Sequence, residues 1–178
     1  MAISGIFVSL QTSSASDSGT DDEIYLGIWG RGAGGREFPL SVKSYEDFDT
    51  GLGTNYVLGL DLGFGVKTQH PDRSRPGENN DPARLPIELH GVEYVYLRKQ
   101  AYGQDRDDDA WQLGSVFVRM YDAESLPLQR NQYRDFVLDT RHGLWLGNEF
   151  GHQVWLVGLG VIFDQVGELR TKVDKAFG

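Results

Sequence analysis

The sequence contains no cysteine. That removes disulfides, Cys-ligated zinc, iron–sulfur clusters and a thiol nucleophile, although it assigns no compartment. Positive charge is also scarce: 17 Lys and Arg stand against 26 Asp and Glu, for a formal net charge of -9 and a pI near 4.8. Binding a phosphate backbone depends on clustered Lys and Arg, so no nucleic-acid partner is expected. The stretch from Met1 to Val8 has neither a basic leader nor a long apolar run. The expectation is a soluble protein without a classical signal or membrane span, cytoplasmic or exported by another route. His70, His90, His142 and His152 form no i,i+4 pair and no H-E-x-x-H, and neither a G-x-S-x-G elbow nor a P-loop occurs. An enzyme is not expected, because no residues of a catalytic set can be named.

What is present is a chain of 178 residues, 39% hydrophobic and 12% aromatic, enough for one domain with a real core. Its pattern is that of strands. Ile6 to Gln11 is β-prone, and Thr12 to Thr20 is a Ser/Thr/Asp/Gly-rich loop. An acidic turn at Asp21 and Asp22 then opens a strand in which Ile24, Leu26 and Ile28 alternate with Glu23, Tyr25, Gly27 and Trp29. Gly30 to Gly35 spells G-x-G-x-x-G, but it hands over to another strand rather than to a helix, so a hairpin is expected instead of a dinucleotide site. Arg36 to Val42 alternates again, and Pro39 points to a sheet edge. Tyr45 to Phe48 suggests one helical turn, and Thr54 to Leu60 a further strand.

Residues 61–91 hold four of the six prolines and little that is apolar, and they read as a surface insertion. Val92 to Lys99 resumes as a strand. A second acidic turn, Asp105 to Asp109, leads into Trp111 to Tyr121. There the apolar phase moves from Trp111 and Leu113 to Val116, Val118 and Met120, which predicts a β-bulge near Gly114 and Ser115. The acidic turn opens like an EF-hand loop, but Ala110 stands where Gly is needed and Val116 where the closing Glu belongs. Tyr133 to Leu138 and Gly143 to Leu146 add two short strands, for about eight in all. The tail reads as one strand from Gln153 to Phe163 covered on both faces, then a short amphipathic helix carrying Val166, Leu169, Val173 and Phe177. Trp29, Trp111, Trp145 and Trp155 are expected as core and sheet-face aromatics rather than lipid anchors.

Gly19-Thr20-Asp21 followed by Ile24-Tyr25-Leu26, the glycine hairpin, Phe48 before a glycine loop and an acidic loop leading into Trp111 together resemble a PLAT domain. The resemblance runs from Ile6 to Leu146. It implies an all-β fold, an antiparallel eight-stranded β-sandwich over residues 1–150, with the proline-rich insertion 61–91 and a C-terminal strand and helix tail, residues 151–178, packed on the sandwich or on a partner. PLAT domains of lipoxygenases, lipases, polycystins and clostridial alpha-toxins engage membranes or proteins through loops at one end, and some hold calcium there. By position, the resemblance implies Ca2+ ligands Gly19, Asp21 and Asp22 on the first loop and Asp107, Asp108 and Asp109 on the second. Ala110 departs from the family pattern, which often has the acid directly before the aromatic residue. Calcium suits such loops because it takes six to eight oxygens. The implied function is a non-enzymatic calcium-dependent module binding membrane lipid or a membrane receptor. The alternative is a protein–protein subunit of a bacterial secreted or toxin-like assembly, contacting a partner chain through insertion and tail.

Overall fold

A computed structural model describes residues 2–32, 34–42, 45, 47–59, 67–69, 81–84, 87–101, 109–122 and 133–161, without the side chains of 141, 160 and 161. Wherever apolar residues alternate, a strand forms. Among the described residues these are β1 (Ile3–Thr12), β2 (Glu23–Gly30), β3 (Gly34–Pro39), β4 (Gly53–Gly59), β5 (Val92–Gln100), β6 (Trp111–Asp122), β7 (Tyr133–Leu146), β8 (Gln153–Trp155) and β9 (Val157–Val161). They make two antiparallel sheets. The first runs β4-β1-β6-β7-β9 and the second β3-β2-β5-β8. The inward sets, such as Val8 and Leu10 from β1 and Ile24, Leu26 and Ile28 from β2, are almost wholly buried and form one core between the sheets. A sandwich is therefore what the alternation builds.

The hairpin at Gly30 to Gly35 is as the sequence predicts: Gly30 pairs with Gly34, while Gly32 and Gly34 take φ of 74°, conformations that glycine adopts without strain. β3 lies at a sheet edge, where Pro39 costs no ladder bond. The bulge lies where the apolar phase slips. Gln11 pairs with Ser115 and Thr12 with Leu113, which leaves Gly114 as the extra residue. The slip keeps Trp111 and Leu113 as well as Val116, Val118 and Met120 in the core.

Five expectations are corrected. The two strands expected between Tyr133 and Leu146 are one continuous β7, held to β6 at Thr140, whose Oγ1 lies 2.7 Å from the carbonyls of Leu113 and Gly114 and shares its single proton between them. The expected strand from Gln153 to Phe163 is split. β8 joins the second sheet and β9 the first, with buried Leu156 at the crossing, while Trp155, Val157 and Leu159 are exposed rather than covered. With β8 and β9 the sandwich has nine strands among the described residues rather than eight. Finally, the far end of the 61–91 stretch is not wholly superficial: Ile87 and Leu89 enter the core, and the Ile87 carbonyl accepts from the Ile3 amide at 3.0 Å. At Tyr45, Asp47 and Phe48 the described backbone is bend and turn rather than helix. Leu60, most of 61–86 and the expected helix lie outside the described residues.

Candidate functional site

One end of the sandwich gathers three loops. The first, between β1 and β2, is folded on itself by Ser18, whose buried hydroxyl donates to the Ser13 carbonyl at 2.6 Å. The Gln112 amide donates to the Ser18 carbonyl at 3.0 Å, which fastens this loop to the start of β6. The second loop precedes β4. The Thr20 amide donates to the Phe48 carbonyl at 3.2 Å and the Gly19 amide to Thr50 Oγ1 at 3.2 Å. A Cβ on Gly19 would lie 3.1 Å from both the Phe48 carbonyl oxygen and the Thr50 nitrogen, so the closeness of the loops favours glycine there. The third loop runs into Trp111. Thr20 Oγ1 donates to the Asp109 carbonyl at 3.4 Å, so these two residues, 89 apart in sequence, are neighbours.

Beneath the loops the packing is tight. Trp111 and Thr12 are fully buried and the indole Nε1 donates to Thr12 Oγ1 at 3.1 Å. Phe48 lies edge-on to Trp111, with ring centroids 5.8 Å apart. The adjacent Asp47 carboxylate accepts from the Val42 amide at 2.5 Å and from the Tyr56 hydroxyl at 3.2 Å. Burial raises its pKa to about 6 despite these donors. The base on which the loops stand is thus closely packed and partly polar.

Of the six residues the resemblance implies as ligands, Gly19, Asp21, Asp22 and Asp109 are described, while Asp107 and Asp108 lie outside the described residues. Asp21 and Asp109 are exposed and sit on the two loops that Thr20 ties together. Asp22 is different: it is buried, and its Oδ2 accepts a hydrogen bond from the fully buried Lys99 ammonium. Lys99 was not among the expected residues, yet the alternation Val95, Leu97, Lys99 places it on the core face of β5. Its inward phase is the signal by which sequence alone could have found it. Among the described residues no three His, Asp or Glu side chains converge as a metal site.

No model of a known protein family matches the chain, and neither does any curated protein. Solved structures do match. The alpha-toxin of Clostridium absonum is 17% identical with a TM-score of 0.54, over 88% of this chain and 32% of that one. The Clostridium perfringens alpha-toxin of an avian strain is 15% identical with a TM-score of 0.54, over the same 88% and 32%. Coral 8R-lipoxygenase, described by calcium activation through a C2-like domain, is 15% identical over 97% of this chain and 20% of its own, with a TM-score of 0.49. The chain thus spans about a third of the length of the toxins it matches. Its fold is that of a β-sandwich found within the clostridial alpha-toxins, proteins of the group to which the sequence resemblance pointed.

Proposed function

We propose that the protein is a non-enzymatic binding module that engages a membrane surface, or a receptor at one, through the acidic loops at this end of the sandwich, with Ca2+ as the bridging cation. The observation that supports the reading is the contact from Thr20 to Asp109, since Asp21 follows Thr20 in the chain and both aspartates are exposed. Oxygen ligands on two convergent loops suit a hard cation with a flexible coordination shell. In this reading the ion is held by the Gly19 carbonyl and by Asp21, Asp107, Asp108 and Asp109, with Asp22 shared between it and Lys99. Completion of the shell rests on Asp107 and Asp108. A chain of net charge -9 is repelled by anionic lipid, and a bound dication reverses that sign locally. Among the described residues no helix is long and apolar enough to cross a membrane, so the contact envisaged is peripheral.

The test is a thermal melt with millimolar calcium, magnesium or chelator, followed by co-sedimentation with phosphatidylserine vesicles. A ligand that binds only the folded state raises its apparent stability. A calcium-specific rise, lost in the Asp107→Asn, Asp109→Asn double variant together with vesicle binding, is expected. No rise with calcium and no vesicle binding overturns the reading and moves the search to a protein partner, whereas vesicle binding that survives chelator overturns the calcium bridge.

A further inference from the structure

The outer face of the second sheet is built from rings and paired charges. Register places Trp29 beside Tyr94, Gly27 between Glu37 and Tyr96, and Trp155 beside Tyr96. Two glycines let rings lie down on the sheet. A Cβ on Gly27 would meet the Tyr96 ring at 2.0 Å, and a Cβ on Gly35 would meet the Trp29 ring at 2.3 Å. Both rings therefore cover glycine backbone, Trp29 exposed and Tyr96 half-buried. Trp155 stands against two tyrosines of β5, 64° from the plane of Tyr96 with centroids 5.0 Å apart and 70° from Tyr94 at 5.6 Å. The result is a floor of ring faces with an indole wall. Trp29, Tyr94 and Trp155 are 50%, 56% and 54% exposed, values well above those of packed aromatics.

Polar groups are set into the same floor, and they are neutralised in place. The Arg98 guanidinium lies over the Tyr25 ring and grips Glu37 through Nε at 2.7 Å and Nη2 at 2.6 Å, and the Tyr96 hydroxyl donates to Glu37 at 3.1 Å. The Arg98 fork holds the Glu37 carboxyl below its usual range. No Leu, Ile, Val or Met faces outward from β2, β3, β5 or β8. A lipid tail laid over this floor would strip water from the ion pair and return no hydrogen bond, which is costly. A sugar ring does otherwise. Its C–H face packs on an aromatic face, while its hydroxyls replace water on the carboxylate, guanidinium and Tyr96 hydroxyl.

We propose that this face binds an uncharged carbohydrate chain, one pyranose resting on the Tyr96 floor against the Trp155 wall and the chain continuing toward Tyr94 and Trp29. The site is separate from the acidic end. Tyr96 pairs with Gly27, four residues along β2 from Glu23, about 13 Å at the rise of a strand. It therefore needs no calcium, and its fate is independent of the membrane reading.

The experiment titrates cellohexaose, laminarihexaose, maltohexaose and mannohexaose into the intact chain with chelator present, followed by tryptophan fluorescence and calorimetry. Saturable binding of at least one is expected, weakened about tenfold or more in Trp155→Ala, the order of one aromatic contact. Asp139→Asn, at an exposed position on β7 of the other sheet, should leave it unchanged. Circular dichroism checks that the half-exposed Trp155 can be removed without unfolding, and Trp29→Ala serves as the second variant. Binding of none of the four sugars overturns the proposal. So does Trp155-dependent binding of phosphatidylcholine vesicles, or Trp155-dependent self-association, in place of sugar binding.

Discussion

Lys99 and Asp22 form an ion pair inside the acidic end of the sandwich, with the lysine side chain fully buried and the aspartate side chain 5% exposed. The pair joins the last inward position of β5 to the residue that precedes β2, so it closes the end of the second sheet. Breaking a buried pair leaves a charge without its partner, which typically costs about 3–5 kcal/mol. Lys99→Met and Asp22→Asn should each destabilise the fold by that order in urea unfolding. The double variant should lose clearly less than the sum, because the stranded charge is what makes each single change severe. Additive losses would mean that the two residues act separately.

Asp47 gives the protein a pH dependence of definite sign. Burial raises its pKa from 3.8 to about 6, so between those values the folded state binds a proton that the unfolded state has released. The stability that comes with the proton is fully present below pH 3.8 and is lost as pH rises through 6. Asp47→Asn preserves an acceptor for the Val42 amide and a partner for the Tyr56 hydroxyl without the charge. The variant should therefore match the wild type near pH 4 and exceed it by about 1–2 kcal/mol at pH 7, a figure reduced for solvent screening. Urea midpoints measured across that range check it. A constant difference at all pH values would remove Asp47 as the source.

The strands, the hairpin and the bulge were legible because each rests on local pattern: alternation, glycines between two alternating runs, and a one-residue slip of phase at Gly114. The sharing of β8 and β9 between sheets was not. Trp155, Val157 and Leu159 keep a single period of two, and nothing local marks Leu156 as the point where the chain changes sheets. Ile87 and Leu89 were hidden in the same way, by the polar and proline-rich residues before them. At the candidate site, composition located both acidic turns, but it could not show that Asp22 faces Lys99, since the pairing spans 77 residues and depends on how β2 and β5 align.

Gly59 should be among the least replaceable glycines. It ends β4 with φ of 76°, and a Cβ there would lie 2.4 Å from the Ser4 carbonyl oxygen and 2.6 Å from Pro82 Cδ. Backbone strain and a collision with backbone add, so Gly59→Ala should cost about 3 kcal/mol or more. Gly32→Ala, which meets nothing within 4 Å and has φ of 74°, carries the strain alone and should cost about 1–2 kcal/mol. Thermal or urea unfolding of the two variants separates strain from crowding. Equal losses would show that the contact at Gly59 relaxes freely.

Lys99 also decides how the acidic end responds to calcium. Its ammonium already neutralises Asp22, and two cations near one carboxylate repel each other, at about 4 kcal/mol per unit-charge pair for a 4 Å separation in a partly screened environment. Removing the lysine takes that ammonium away from Asp22. If calcium binds where we propose, Lys99→Gln should be less stable than the wild type in chelator and should gain more from millimolar calcium, because the ion then takes over the role of the lost ammonium. The observable is the difference in melting temperature between calcium and chelator, measured for both proteins. A larger difference in the variant ties Asp22 to the metal. An equal, non-zero difference places the ion on Asp21 and the second loop without Asp22, and leaves the Lys99 pair as a purely structural closure of the sheet.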